Sequence, residues 1–200
     1  MSRIKLYYDF RSPFAYFASQ RLSLLRDEGA EISWHPVSVS MLLNMQVDKE
    51  PWAQVEDPMC KAKRNHFMAD IFRLIEHWKI PFAPPVPMPP ECTTAMAIAA
   101  LLDKEQQEHT EFRDAMFAAV WQEQKDANDI DVLESALKSA NHDPELIQIA
   151  ATEGKALLTE LSCKAFEQGV FGVPSFIVDD ALYFGADRMD LIAAHLRALR

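Results

Sequence analysis

The first 37 residues contain a strand, a helix and a second strand in immediate succession, and this arrangement limits the fold more than any other feature. Residues 4–9 are apolar enough for a buried strand, and residues 32–37 alternate between apolar and polar. Between them, apolar residues recur at helical spacing until Gly29. Because crossovers of this kind are right-handed, we expect the two strands to be parallel neighbours in one sheet.

The middle of the chain predicts helices without a convincing strand. Helical patterns cover residues 61–78, 94–105, 112–124, 131–139 and 144–151. Residues 80–90 are too rich in proline for a helix or a central strand, and they predict an extended connector. Threonines at 93 and 94 and the Asp143-Pro144 pair are typical of helix starts.

The end of the chain returns to mixed structure. A helix at 155–168 is followed by a hairpin of strands 175–178 and 181–184 and by a helix at 187–199. The order βαβ, helices, αββα is that of an α/β thioredoxin-like fold with an all-helical insertion. We therefore expect a discontinuous thioredoxin-like domain at 1–40 and 152–200 and an inserted helical domain at 41–151.

Composition excludes several functional classes. The net charge of −10 disfavours binding to nucleic acid or anionic membrane, and the five glycines form neither nucleotide-binding motif. Cysteines at 60, 92 and 163 are too far apart for a CxxC pair or a four-cysteine zinc site, and the six histidines show no metal-ligand spacing. No metal site, signal peptide or membrane span is expected, and the sequence is typical of a cytoplasmic protein.

Ser12 is the strongest candidate for a functional residue. It lies where the first strand meets the first helix, with Pro13 at the first helical position. A helix N-terminus offers unpaired amide donors and a positive dipole end, so a thiolate or another anion beside Ser12 would be stabilised. The alternative is that Ser12 and Pro13 only cap the helix.

Pro174 is the second candidate, within the run Gly172-Val173-Pro174-Ser175. In a thioredoxin-type fold this position faces the start of the first helix. A cis bond there would turn the Val173 backbone outward, where it can pair with an extended peptide. The alternative is an ordinary trans proline at the entry of a strand.

Asp187 and Arg188 form the third candidate, at the start of the last helix. The carboxylate suits an ammonium group, and the guanidinium with the helix N-terminus suits a carboxylate. Together they match the head of an amino acid. The alternative is that Asp187 only caps the helix and Asp190 favours its first turn.

These three segments together resemble one protein family. DFRSPFAYFA at 9–18, GVFGVPSFIV at 169–178 and GADR at 185–188 are similar to the 2-hydroxychromene-2-carboxylate isomerases and kappa-class glutathione transferases, within the DsbA-like group of thioredoxin folds. The similarity also includes KRNHFMAD at 63–70 and WKIPF at 78–82, so it covers essentially the whole chain.

The resemblance implies glutathione as the cofactor. Its sulfur would lie beside Ser12, and its cysteinyl backbone would pair with Val173 before a cis Pro174. The γ-glutamyl end would bind Asp187 and Arg188. A lysine of the helical domain also approaches glutathione in the family, and Lys63 matches it.

The resemblance leaves the substrate side of the site less defined. The family asparagine upstream of that lysine falls near Gln54, and the nearest asparagine is Asn44. His66 stands where the family commonly has an aromatic residue. Arg11, Phe14 and His66 are our candidates for substrate contact, with Lys63 or Arg64 as further partners for a substrate carboxylate. The alternative for the charged residues is solvated surface charge.

The expected activity is glutathione-dependent isomerisation of 2-hydroxychromene-2-carboxylate or a related aromatic-degradation intermediate, by reversible addition of the thiolate. A kappa-like glutathione transferase or peroxidase acting on a small electrophile is the main alternative. A DsbA-like disulfide oxidoreductase is disfavoured, because Ser12-Pro13-Phe14-Ala15 stands where two cysteines would be needed. A non-catalytic thiol-peptide binder is a further alternative. The family also implies a homodimer.

Overall fold

The protein is built on one four-stranded mixed sheet with the strand order β2-β1-β3-β4. The computed structural model describes residues 2–54, 59–104 and 109–199. The strands are β1 (Arg3–Tyr8), β2 (Glu31–Pro36), β3 (Ser175–Val178) and β4 (Ala181–Phe184). β1 and β2 are parallel, as predicted, and β3 is antiparallel to both β1 and β4.

The β3–β4 hairpin forms at the predicted residues. Its two turn residues, Asp179 and Asp180, have φ angles of 48° and 66°. Left-handed geometry at both positions matches the right-handed twist of the flanking strands, and aspartate tolerates it better than most residues. The hairpin places Ser175, at the start of β3, opposite Phe184, at the end of β4.

The first helical stretch differs from the prediction, because it is divided into two helices. α1 (Pro13–Gln20) begins at Pro13, as predicted, and α2 (Ser23–Arg26) follows after a break. Arg21, the residue after α1, has φ −117° and ψ 13°, which takes it out of helical geometry. Gly29, with φ 74°, completes the turn into β2.

Six helices lie in the next part of the described chain: α3 (Val39–Met45), α4 (Lys61–Trp78), α5 (Thr93–Lys104), α6 (Thr110–Trp121), α7 (Ile130–Ser139) and α8 (Leu146–Ile149). α4 has the predicted bounds, and α3 was not predicted. The described part of residues 41–151 contains no strand. The predicted helix end at Glu105 lies outside the described residues.

A π-helical turn, Ala150–Gly154, joins α8 to α9 (Lys155–Glu167), so the predicted gap between two helices is wrong. Gly154 explains the difference. A Cβ at this position would lie 2.9 Å from the backbone oxygen of Ala97, in the middle of α5. The glycine therefore allows the π-helical turn to pack closely against α5, and it does not end a helix.

The chain ends in a 3-10 turn, Ala186–Arg188, followed by α10 (Met189–Ala198). The alternative that Asp187 caps the last helix is wrong, because Asp187 lies inside the turn and Gly185 precedes it. Asp190 lies in the first turn of α10, where a carboxylate is favoured by the helix dipole.

One apolar core connects the sheet with the helices. Ile4 and Leu6 of β1 belong to the same buried cluster as Ile98 of α5 and Phe117 of α6. α5 is buried without interruption at residues 95–102. The division into units 1–40 with 152–200 and 41–151 stays a prediction, and its outermost residues, Met1 and Arg200, lie outside the described chain. No helix of the described residues is long and apolar enough to span a membrane.

Candidate active site

Ser12 has the geometry of a helix N-cap. Its backbone is extended (φ −93°, ψ 118°), and its Oγ accepts a hydrogen bond of 3.2 Å from the Ala15 N–H. The side chain is buried, with 8% of the residue exposed. Pro13 has no N–H, and within the described residues the Phe14 N–H has no acceptor. The start of α1 therefore keeps one backbone donor free beside a hydroxyl group.

The second predicted segment meets Ser12 directly. Ser12 Oγ donates to the Val173 carbonyl oxygen over 3.4 Å, and the Val173–Pro174 bond is cis, as predicted. The loop is also held by Ser175 Oγ, which donates a hydrogen bond of 2.7 Å to the Gly172 carbonyl. The described part of the chain offers the Val173 N–H no acceptor. Among the described residues, a backbone N–H without an acceptor therefore lies on the residue whose carbonyl Ser12 contacts.

The third segment is joined to the second by a backbone hydrogen bond. The Gly185 N–H donates to the Pro174 carbonyl at 2.9 Å. Gly185 has φ 107°, and a Cβ there would lie 2.5 Å from Asp187 Oδ1, so only glycine fits. Asp187 and Arg188 are exposed, with Arg188 Nη1 3.8 Å from Asp187 Oδ2. The structure thus brings all three predicted segments together.

Asp9, which the sequence did not single out, anchors the loop that carries Ser12. Its carboxylate is 3% exposed and accepts hydrogen bonds of 2.9 Å from the N–H groups of Arg11 and Val39. The two bonds tie the loop to the first residue of α3. Burial raises the pKa of Asp9 to about 6, although the two amides and the Arg11 charge lower it.

Asp9 predicts a measurable pH dependence of stability. Its folded-state pKa is raised above the ordinary value, so its contribution is present below about pH 4 and is lost as the pH rises through about 6. From pH 4 to 7, the free energy of unfolding should fall by about 2 kcal/mol more in wild type than in Asp9→Asn. Urea unfolding of both proteins across this range measures the difference. If the difference in unfolding free energy between the two proteins stays constant with pH, the raised pKa of Asp9 is contradicted.

Arg11 is half-buried against α3. Its Nη1 donates to Ser40 Oγ at 2.7 Å, and its backbone N–H binds Asp9. Arg11 also lines a polar cavity of about 10 Å³, together with Glu91 and Thr93. That volume is close to the space of one water molecule. The proposed contact of Arg11 with substrate stays a prediction.

α4 brings an aromatic residue to the start of α1. The rings of Phe14 and Phe67 meet edge to face with centroids 5.1 Å apart. The sequence places Phe67 in the predicted helix at 61–78 but does not indicate this contact. His66, its neighbour, is exposed. Lys63 is also exposed and lies one turn before Phe67 on the same side of α4, since residues four apart share a helix face.

The two positions considered for the family asparagine differ sharply. Asn44 is buried, and its side-chain nitrogen donates to the carbonyls of Pro51 and Ala53 at 3.0 and 2.8 Å. Its amide donors therefore hold the loop after α3 and are not available to a ligand. Gln54 is exposed.

Comparison with known proteins agrees with this architecture. The family model described as a DSBA-like thioredoxin domain matches residues 3–197. The chain belongs to the DSBA-like thioredoxin family. A curated 2-hydroxychromene-2-carboxylate isomerase from Sphingobium xenophagum is 26% identical over 196 residues, covering 96% of this chain and 97% of the relative. One from Pseudomonas putida is 26% identical over 203 residues, covering 98% and 95%.

A solved structure of a 2-hydroxychromene-2-carboxylate isomerase has the same fold as this DSBA-like protein. The two superpose with a TM-score of 0.81 at 22% identity, covering 98% of this chain and 95% of the other. Relatives that are named isomerases support an enzymatic role. The similarity extends along nearly the whole chain, so it includes the helices between β2 and α9 as well as the sheet.

This member of the DSBA-like family has no thiol at the start of α1. The cysteines lie elsewhere: Cys60 is exposed before α4, Cys92 is buried before α5, and Cys163 is half-buried in α9. Burial raises the pKa of the Cys92 thiol, which keeps it protonated. The site offers hydrogen-bond donors in place of a cysteine pair, and donors suit an anion brought by a ligand.

Proposed function

We propose that this protein is a glutathione-dependent isomerase acting on 2-hydroxychromene-2-carboxylate or a related aromatic-degradation intermediate. One observation carries the proposal: Ser12 Oγ lies 3.4 Å from the carbonyl of Val173, beside an N–H group of Val173 that the described residues leave without an acceptor. A hydroxyl group and the backbone groups of Val173 therefore meet at one point. The names of the two curated relatives support the choice of reaction.

The residues present suit the cysteinyl and γ-glutamyl parts of glutathione. The Val173 N–H and C=O groups match the backbone groups of a cysteinyl residue, in the manner of an added strand. Asp187 suits the ammonium group of the γ-glutamyl end, and Arg188 suits its carboxylate. When bound, glutathione would supply a thiolate that adds reversibly to a conjugated substrate.

Ser12 would favour the charged form of a sulfur atom. An ordinary cysteine thiol has a pKa of about 8.5 and is mostly protonated at neutral pH. A hydroxyl that donates to the sulfur stabilises the thiolate, and the free Phe14 N–H and the dipole of α1 act in the same direction. The present bond of Ser12 to Val173 is long, at 3.4 Å, so releasing it for a sulfur acceptor costs little.

Phe14 and Phe67 would form an apolar wall for the aromatic part of the substrate, two residues from Ser12. A substrate carboxylate would need local positive charge in a chain with a net charge of −10. We assign Arg11 and Lys63 to this carboxylate. His66 is the neighbour of Phe67 in the chain and is a further candidate for substrate contact. A homodimer and a cytoplasmic location belong to the same proposal.

Two assays distinguish this function from a kappa-like glutathione transferase, which would use the same thiolate-binding residues. The purified protein is given a chromene-carboxylate in one assay and a chlorodinitrobenzene-type electrophile in the other. We expect isomerisation that requires glutathione and leaves its concentration unchanged. Consumption of glutathione with the electrophile, without isomerisation in the first assay, would favour the transferase.

A further inference from the structure

Arg21 joins three parts of the molecule beside the site. Its Nη1 donates to the carbonyl oxygen of Ala186 at 3.0 Å, and its Nη2 donates to Asp190 Oδ2 at 2.9 Å. The guanidinium carbon lies 3.9 Å from the centre of the Trp78 ring, at the end of α4. The Arg21 side chain is only 12% exposed. The Asp190 side chain is 67% exposed, so its ion pair alone would contribute little, but the guanidinium group is mostly buried and makes three contacts.

The contact with Ala186 lies at the turn that carries Asp187 and Arg188. The preceding residue, Gly185, is fixed by its bond to Pro174. The turn is therefore held at its beginning by the cis-proline loop and at Ala186 by Arg21. After the turn, the bond between Arg21 and Asp190 fixes the start of α10. The side chains of Asp187 and Arg188 are exposed, and the Arg188 N–H donates to the Gly185 carbonyl at 3.1 Å, so the position of both residues depends on these supports of the turn.

We propose that Arg21 is a positioning residue that holds the Ala186–Arg188 turn in the orientation needed to bind the amino-acid head of the ligand. The inference rests on the proposed function, since it takes that head to be the γ-glutamyl group. Only arginine has a planar guanidinium group, which can bind a carbonyl, a carboxylate and the face of an aromatic ring at the same time. Lysine can keep the charge near Asp190, but it cannot keep all three contacts.

Replacing Arg21 with methionine keeps the apolar stem and removes both hydrogen bonds. In the ligand-free protein, amide hydrogen exchange at residues 186–190 should become faster, while exchange in β1 stays the same. The Kd and KM for glutathione should rise about tenfold, with kcat at saturating glutathione within about twofold of wild type. If Arg21 only supported overall folding, Arg21→Met would instead lower the melting temperature and kcat, and it would not selectively raise the Kd and KM for glutathione. For Arg21→Lys, the exchange rates at residues 186–190 and the Kd for glutathione should lie between those of wild type and Arg21→Met.

Arg197→Met is the matched control. Arg197 lies near the C-terminal end of α10, away from the turn, and its Nη1 is 3.2 Å from Oε1 of Glu28, which follows α2. This variant should leave exchange at residues 186–190 and the glutathione KM unchanged. If Arg21→Met does not fold, Arg21→Lys is compared with the control in the same measurements.

The outcomes separate the inference from the function on which it rests. Unchanged exchange at residues 186–190 together with a glutathione Kd within twofold of wild type would overturn the role of Arg21. Wild-type protein that fails to bind glutathione would overturn the proposed function instead. In that case the exchange measurement alone decides whether Arg21 holds the turn.

Discussion

Replacing Ser12 with alanine is expected to lower glutathione-dependent turnover by about 100-fold or more, because the loss of one donor aimed at a developing or bound anion commonly has this effect. The variant should still bind glutathione, since Val173, Asp187 and Arg188 are unchanged. Loss of the helix cap should cost about 1 kcal/mol of folding free energy, which the protein can tolerate. Steady-state turnover and calorimetric binding measure the two effects separately.

Ser19→Ala is the control for this prediction. Ser19 lies on the same helix, and its Oγ donates to the Tyr16 carbonyl at 2.7 Å, away from the Val173 loop. Its replacement should leave turnover within about twofold, as expected for a residue outside the reacting groups. Ser12→Thr keeps both the hydroxyl and the cap, so it should retain more activity than Ser12→Ala. Equal turnover by Ser12→Ala and wild type would show that the hydroxyl has no role in the reaction.

Trp121→Ala should be the most destabilising single change, at about 4 kcal/mol or more, because it removes a large buried side chain and leaves a buried acceptor unpaired. Trp121 is fully buried, and its ring stacks on Phe82 with centroids 5.5 Å apart. Its Nε1–H donates to the Phe10 carbonyl at 2.8 Å. Phe10 lies two residues before Ser12, so the loss should also loosen the site. Urea unfolding followed by circular dichroism measures the change.

Trp52→Ala provides the comparison, since Trp52 is 70% exposed. Its replacement should change the free energy of unfolding by about 0.5 kcal/mol at most, as is usual for surface residues. The loss of unfolding free energy for Trp121→Phe should lie between the two, because this variant keeps a ring in the core but loses part of the buried volume and the hydrogen bond to Phe10. A loss at Trp121→Ala no larger than that of Trp52→Ala would contradict the proposed packing.

The parts of the fold that the sequence predicted well are those determined by local chemistry. Ser12 and Pro13 start a helix because a hydroxyl acceptor and a fixed φ are suited to the first turn. The β3–β4 hairpin was predicted to the residue, since two aspartates between short apolar runs define a two-residue turn. α4 was also predicted to the residue, from a strong helical periodicity between residues 61 and 78.

The parts that were missed depend on contacts far apart in sequence. Arg21 ends α1 early and binds Ala186, 165 residues away, which no helical pattern shows. The sequence analysis assigned no role to Gly154, whose missing Cβ lets the π-helical turn approach Ala97 of α5. Asp9 was included as the last residue of the predicted strand, but it lies after β1, is buried and accepts two backbone hydrogen bonds.

The same distinction applies to the candidate site. Three short segments could be named from the sequence, because each carries its own local signature at Ser12, Pro174 or Gly185. Their mutual distances came only from the fold, through the Ser12–Val173 and Gly185–Pro174 hydrogen bonds. The substrate side was the least predictable, because Phe67 reaches Phe14 only through the packing of α4 on α1.

Thermal unfolding of the purified protein during a titration with glutathione tests the central claim most directly. Glutathione at about 100 times its Kd should stabilise the fold by about 2.7 kcal/mol, which corresponds to a rise of about 5–10 °C in the melting temperature. An equal concentration of cysteine, which lacks the γ-glutamyl and glycyl ends, should produce a much smaller rise. A melting temperature that does not change at millimolar glutathione would contradict the glutathione site.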